Sequence, residues 1–496
     1  MLPDELLVIF LSKTQMQKIK IIYKLHFGIL QISDLELHLN ESRKKIKRIV
    51  ESLNLDIEEF NSLNGEVLGV SITKDKVSFT ENLADETYVK IKDYLQEKYL
   101  LSSGLYKSLL FILEKRNFSI LQLSQYISYS ESYTYKLVNR VKDFFFVSNL
   151  GLTLSKRNET ILILEGEETT IRLLHCLLLI IVSVNNGWYI DTIKEKEIEY
   201  IHSFVNSSKI QMLSPSNLKR INIIIGVYES ALKRGCKLSS CSTDVREIGR
   251  IINKEIEIPR YFNYIYKQKV GEVAYLRDEL IHLAFIINYL TPELRSMQEK
   301  INIGKELYNN KSNHIIKMCI SLVNMIQKKY AMSKNDSYLL VYSLCNRLIV
   351  LHYFKLYKFA VPNELALKGK KQLFIKECIC KSFKEYRKEP SYQEIIFNFH
   401  QIIVAYINFD SPIKIYIEFQ NKPEYKTTIK NILTSIYNPN ILKVIEDYKL
   451  ADIIISDSFS PKTNQKYFYF HDVFDQVAWK RLGAYLNKEI KNKKEE

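Results

Sequence analysis

Apolar positions along this chain recur mostly at helical spacing, and near the amino terminus the pattern breaks twice into short alternating runs. Residues 15–26 predict a helix of about three turns. Ser33 followed by Glu36 has the spacing of a capping box, and a short helix is expected to run from there to Leu39. Residues 40–42 make a turn. The next helix sets Ile46, Ile49, Val50 and Leu53 on one face and Arg43, Lys44, Lys47 and Glu51 on the other, with Ser42 and Arg48 beside them. Residues 65–80 then alternate weakly, as a hairpin does. The same grammar returns downstream. A helix is expected over 104–116, a capping box at Ser119 and Gln122, a turn at 128–130, and a helix burying Thr134, Leu137, Val138 and Val141. Its outer face carries Ser132, Tyr133, Tyr135, Lys136, Asn139 and Arg140. Residues 152–155 and 160–164 alternate like two strands, with Lys156 and Arg157 at the tip between them.

From about residue 169 to 408 helix follows helix. Gly235 reads as a helix C-cap after Arg234. A helix over 271–290 stacks Val273, Leu276, Leu280, Ala284 and Ile287 and stops at Thr291-Pro292. Further long helices are expected near 313–329, 337–354 and 392–407. The end changes character: a strand-like run at 413–419, a helical stretch at 422–437, strand-like runs at 451–456 and 466–470 and a closing helix at 474–491 suggest a small α/β domain. The expected fold class is mainly α, in five segments. Two amino-terminal winged helix-turn-helix modules (1–82 and 83–168) precede two all-α bundles (169–291 and 292–409) and the α/β domain (410–496).

At 496 residues the chain is too long for one core. A net charge of +15 attracts polyanions, but an anionic membrane would serve as well as a nucleic acid, so placement matters more than the total. The cluster Arg43, Lys44, Lys45, Lys47, Arg48 is local, whereas Lys493 and Lys494 read as a solvated helix end. Seven cysteines without framework spacing predict reduced thiols and a cytoplasmic setting. Asp4 and Glu5 sit where a signal peptide needs positive charge, and the run 173–184, interrupted by His175, is too short to span a bilayer. No membrane partner is expected. There is no P-loop, no G-x-S-x-G, no H-E-x-x-H and no clustered metal spacing, so neither an enzyme, a catalytic residue, a cofactor nor a metal is expected.

A helix whose apolar stripe docks on a preceding helix can lay its outer face in the major groove of DNA. The first module's face is nearly all basic, which suits phosphates. The second mixes Ser132, Tyr135, Lys136, Asn139 and Arg140, which suits base edges, and Lys156 and Arg157 could reach the backbone or minor groove. Ile127 to Ser130, Ser132 to Leu137, Leu164 to Glu168, and Ile171-Arg172 together resemble the Mga family of bacterial transcriptional regulators, nearest its RofA-like branch.

The resemblance implies a regulator, by expectation an activator, that binds double-stranded promoter DNA, with RNA polymerase as a further candidate partner. It also implies that a phosphocarrier protein of the sugar phosphotransferase system phosphorylates histidines in the central bundles. The candidates are His202, His282, His314 and His352. Glu199 lies one turn before His202; Asp278 and Glu279 lie one turn before His282, and such neighbours would orient the ring and favour its charged form. The terminal domain is similar to a IIB component but reads Gln420-Asn421-Lys422-Pro423 where such enzymes carry a phospho-accepting cysteine, so it is expected to serve a homodimer instead. The main alternative is an RNA-binding antiterminator with the same regulatory bundles, which would begin with a β-rich module. A phosphotransfer relay enzyme is the third reading, and the missing cysteine argues against it.

Overall fold

The computed structural model describes residues 9–26, 28–81, 83–183, 187–201, 213–252, 273–330, 332–359, 370–406, 412–419, 424–439, 441–457, 465–470 and 472–495. The fold is mainly helical, with three small sheets. The chain divides into two units: Met1–Ser296 with Ile349–Val361, and Met297–Leu348 with Pro362–Glu496.

The first unit begins with α1 (Lys13–Leu25), β1 (Leu30–Gln31), α2 (Ile32–Leu39), α3 (Arg43–Asn64), β2 (Val70–Thr73) and β3 (Lys76–Phe79). After α4 (Asp85–Ser102) the order recurs as α5 (Gly104–Lys115), β4 (Asn117–Ser119), α6 (Ile120–Ile127), α7 (Glu131–Val147), β5 (Thr153–Lys156) and β6 (Ile161–Glu165). The repeat extends to backbone detail. The short helices α2 and α6 are each 8 residues long. Each ends on a left-handed residue, Asn40 (φ 49°) or Ser128 (φ 59°), two places before a serine N-cap, Ser42 or Ser130. Each hairpin gains a third strand from the residues just ahead of the short helix. Leu30 pairs with Val77 in the sheet β1-β3-β2, and Phe118 pairs with Leu162 in the sheet β4-β6-β5.

The sequence expectations hold for the main helices but fail at one cap. Ser119 and Gln122 do form the reciprocal box at the start of α6. Ser33 does not: α2 starts at Ile32, with Gln31 at the N-cap and no side-chain cap bond. The Ile32 N–H is already satisfied by the Asp75 carbonyl at 2.8 Å, so strand β1 leads straight into the helix and no side-chain acceptor is needed there. The reciprocal box of the first module lies one helix earlier, at Ser12 and Gln15.

The first unit continues with α8 (Glu168–Val182), α9 (Glu195–Ile201), α10 (Pro215–Lys233), α11 (Thr243–Ile252) and α12 (Val273–Leu290), which ends where Thr291-Pro292 was expected to stop it. Gly235, at φ 75°, takes the left-handed position after α10. Ile349–Tyr353, in π-helical geometry, and the short 3-10 turn Leu356–Phe359 complete the unit.

The second unit contains α13 (Met297–Asn309), α14 (His314–Gln327), α15 (Lys334–Leu348), α16 (Lys370–Ser382) and α17 (Tyr392–Tyr406). Gly304 lets α13 approach α15: a Cβ there would lie 2.1 Å from the Tyr338 carbonyl oxygen. The unit ends in β7 (Ile413–Glu418), α18 (Tyr425–Ile436), β8 (Leu442–Ile445), β9 (Ile453–Ser456), β10 (Lys466–Tyr469) and α19 (Gln476–Glu495). All strand pairs of its sheet β10-β9-β7-β8 are parallel. Ile415, Ile417, Ile453 and Ile455 pack with Ile429, Leu482 and Leu486 in its core. Strand β8 was not anticipated, because four residues with one fully buried side chain give little periodic signal. Among the described residues no helix is long and apolar enough to cross a membrane.

Candidate nucleic-acid interface

The outer faces of α3 and α7 follow from how each helix is anchored. In α7 the Ser130 hydroxyl accepts from the Tyr133 N–H, and Thr134, Leu137, Val138, Val141, Phe144 and Phe145 are buried. In α3 the buried set is Ile46, Ile49, Val50, Leu53, Ile57 and Phe60. Each helix is thereby fixed in rotation, and the residues between the stripes point to solvent. Ser42, Arg43, Lys44, Lys47 and Arg48 are exposed, as are Ser132, Tyr133, Tyr135, Lys136, Asn139, Arg140, Lys156 and Arg157.

Most of these cations are uncommitted. Among the described residues no side-chain hydrogen bond or ion pair is found for Lys44, Lys47, Arg48, Lys136, Lys156 or Arg157. Arg43 differs: its guanidinium pairs with Asp75 at the tip of the β2–β3 hairpin. Arg140 reaches the Ile9 carbonyl at 3.4 Å. Around Lys156 and Arg157 the tip is organised rather than loose. The Asn158 carboxamide oxygen accepts from the N–H groups of Thr160 (3.1 Å) and Ile161 (2.8 Å), and the Arg157 N–H donates to the Ile161 carbonyl.

One exposed side chain beside this face was not among the site residues expected from the sequence. Tyr129, in the turn before α7, stands with its ring centroid 5.1 Å from that of Tyr133, and both are 43% exposed. Gly104 makes room for it, since a Cβ there would lie 2.9 Å from the Tyr129 ring. A turn position carries no periodicity, so nothing in the pattern marked it.

The histidines fare differently from the cations. His202 lies outside the described residues. His282 is 2% exposed, with Nδ1 hydrogen-bonded to the Tyr228 hydroxyl and its ring 3.9 Å from that of Phe354. Burial holds its pKa well below the usual histidine range, with the Arg172 charge adding to the effect. The ring is therefore neutral, and in this conformation no outside donor reaches it. The acidic neighbours do not orient it either. Glu279 pairs with Arg172 at 2.5 Å and accepts from the Leu238 N–H, while Asp278 takes Arg246 at 2.6 Å. His314 starts α14 half-exposed, with Nε2 2.7 Å from a Glu385 carboxylate oxygen. His352 is half-buried, with its ring edge-on to Tyr353.

Arg172 is the centre of the buried ion cluster. It is fully buried, bridges Glu168 (2.9 Å) and Glu279, donates to the Cys236 carbonyl (2.7 Å), and lies 4.8 Å from the Tyr228 ring centroid. Arg116 holds the same Glu168 at 2.9 Å. The sequence offered one signal, an arginine four residues after a glutamate inside an otherwise apolar helix.

The cysteines are all free thiols, and among the described residues no group of His, Cys, Asp and Glu could hold a metal. Residues 420–423, where a IIB component carries its cysteine, lie outside the described residues. No protein-family model matches the chain, and neither does any curated protein.

Proposed function

We propose that this chain is a DNA-binding transcriptional regulator. Its two repeats of short helix, turn, long helix and hairpin act as winged helix-turn-helix modules that dock α3 and α7 on a duplex. The observation that carries the reading is the repeat itself, with its uncommitted cations on equivalent exposed faces: Lys44, Lys47 and Arg48 on α3, and Lys136 on α7 with Lys156 and Arg157 on its hairpin. A helix face held by a buried stripe, with a basic and amide-bearing surface, has the chemistry for phosphate and base-edge contact. The α3 face and Lys136 neutralise phosphates; Asn139 on α7 reads bases. The helices that follow serve regulation, and the four-stranded terminal domain serves self-association. The resemblance to Mga-type regulators supplies the regulatory chemistry, phosphorylation by a phosphocarrier protein. Of the described candidates, His314 offers the most accessible ring.

Selection of duplexes from a random pool tests the reading. The native chain is expected to enrich a defined site. A variant carrying Lys136→Ala and Asn139→Ala is expected to bind more weakly and enrich a less defined one, since each lost base contact costs about 1–3 kcal/mol of discrimination. Enrichment of RNA hairpins in place of DNA, or identical sites from both proteins, would overturn it.

A further inference from the structure

The chain leaving the hairpin β5–β6 runs through two adjacent glutamates, Glu167 and Glu168, that are each held by basic side chains. Glu168 is gripped by Arg116 and Arg172, as described above. Glu167 is gripped by Lys355, and by Lys358 at 3.8 Å. Lys358 also donates to the Leu150 carbonyl, at 2.8 Å, just ahead of β5. These two lysines are 188 or more residues from the hairpin in sequence, yet they belong to the same unit.

The segment that carries them is unusual in its own right. Ile349–Tyr353 adopts π-helical geometry, which is rare and collects at functional sites. Lys355 sits at φ 59°, a conformation lysine seldom adopts. Phe354 between them is buried, packed at a tilt against His282 and edge-on to Phe285 at 5.6 Å. The contacts form a closed circuit. From Glu167 they run through the lysines to Phe354, then through His282 and Tyr228 to Arg172, and back to Glu168.

We propose that residues 349–359 are a strap that fixes the β5–β6 hairpin on the central helices of its unit, with Lys355 and Lys358 as positioning residues for duplex binding. Phe354 is the anchor and the lysines are the grip. The Lys358 side chain is largely covered; burial and the neighbouring Lys355 charge lower its pKa, and Glu167 opposes that shift. Any change that displaces Phe354 from His282 loosens the hairpin on which Lys156 and Arg157 are mounted. The duplex readout rests on the function proposed above; the strap itself does not.

Amide hydrogen exchange and duplex binding on the full chain separate the two. Lys358→Met is expected to speed exchange across residues 150–166 by about tenfold, the equivalent of ~1.4 kcal/mol of local opening, and Glu167→Gln, whose pair is half-exposed, by about threefold. Both are expected to weaken duplex affinity. The pair of variants matters because they change the charge in opposite directions. If the lysines merely touched phosphate, Lys358→Met would weaken binding while Glu167→Gln left it unchanged or tightened it, and the positioning role would be overturned. Unchanged exchange over 150–166 in both variants would overturn the strap, whatever the duplex result. A native chain that bound no duplex would instead remove the DNA reading and leave the exchange test to decide the strap. A thermal melt on each variant separates local loosening, with the main transition unmoved, from general unfolding, which would also count against the strap.

Discussion

If the chain binds a duplex as proposed, the salt dependence of that binding follows numerically from the exposed cations. Lys44, Lys47, Arg48, Lys136, Lys156 and Arg157 have no committed side-chain partner among the described residues, so each can replace a counterion on a phosphate without first breaking a bond. If all six engage one duplex, log K should fall with log salt at a slope of about −5, from −0.9 per phosphate. Between 50 and 200 mM salt that is a loss of about 10³ in affinity. Replacing Lys44, Lys47 and Arg48 together by Ala should reduce the slope to about −2.7, and replacing Lys136, Lys156 and Arg157 should do the same. Fluorescence anisotropy on a labelled duplex at four salt concentrations measures all three slopes. Arg43 is the internal control. It is already paired with Asp75, so Arg43→Ala should change the slope less than any of the six. A slope change confined to one triple would mean that one module alone contacts DNA. Equal slopes in native protein and both triples would refute the argument that these faces carry the binding.

Two further predictions concern the buried centre of the first unit. Arg172→Met leaves the Glu168 and Glu279 carboxylates without their shared cation, and breaking such a buried pair costs about 3–5 kcal/mol; urea denaturation of the variant reads this, and a change below about 1 kcal/mol would mean the cluster is solvated. The second prediction concerns acid sensitivity. His175 is buried, and desolvation together with the charges of Arg116 and Arg234 pushes its pKa down to about 3. Its folded pKa lies below the unfolded value near 6.5, so the unfolded chain binds the extra proton and stability falls as pH drops through that window. Between pH 7 and 5 the loss from this group is about 2 kcal/mol, and buried, neutral His282 adds to it with the same sign. Denaturation midpoints at pH 7 and 5 should converge in a His175→Leu variant, and an unchanged pH response there would show that the ring is not buried neutral.

Much of the architecture was legible because it is written in local periodicity. The stripes of Ile46, Ile49, Val50, Leu53 and of Leu137, Val138, Val141 specified two helices and, with them, which cations face out. The Ser119 cap, the Gly235 terminator and the Thr291-Pro292 stop are likewise local chemistry. The misses are pairings. Strands β1, β4 and β8 are two to four residues long and exist only because a distant strand supplies their hydrogen bonds. The Ser33 box failed for the same reason: the Asp75 carbonyl, far along the chain, had already claimed the start of α2.

By itself, then, the sequence determined the repeated modules and the charge they display, since side-chain periodicity and capping depend on neighbours within a few residues. Only the tertiary structure decided what the buried charges do. Arg172 meets Glu279 across 107 residues, and the carboxylates next to His282 turn away from it to arginines on other elements. No local pattern encodes those partners. A charge carried into an apolar interior must find its counterion wherever the fold brings one close, because leaving it unpaired would cost several kcal/mol.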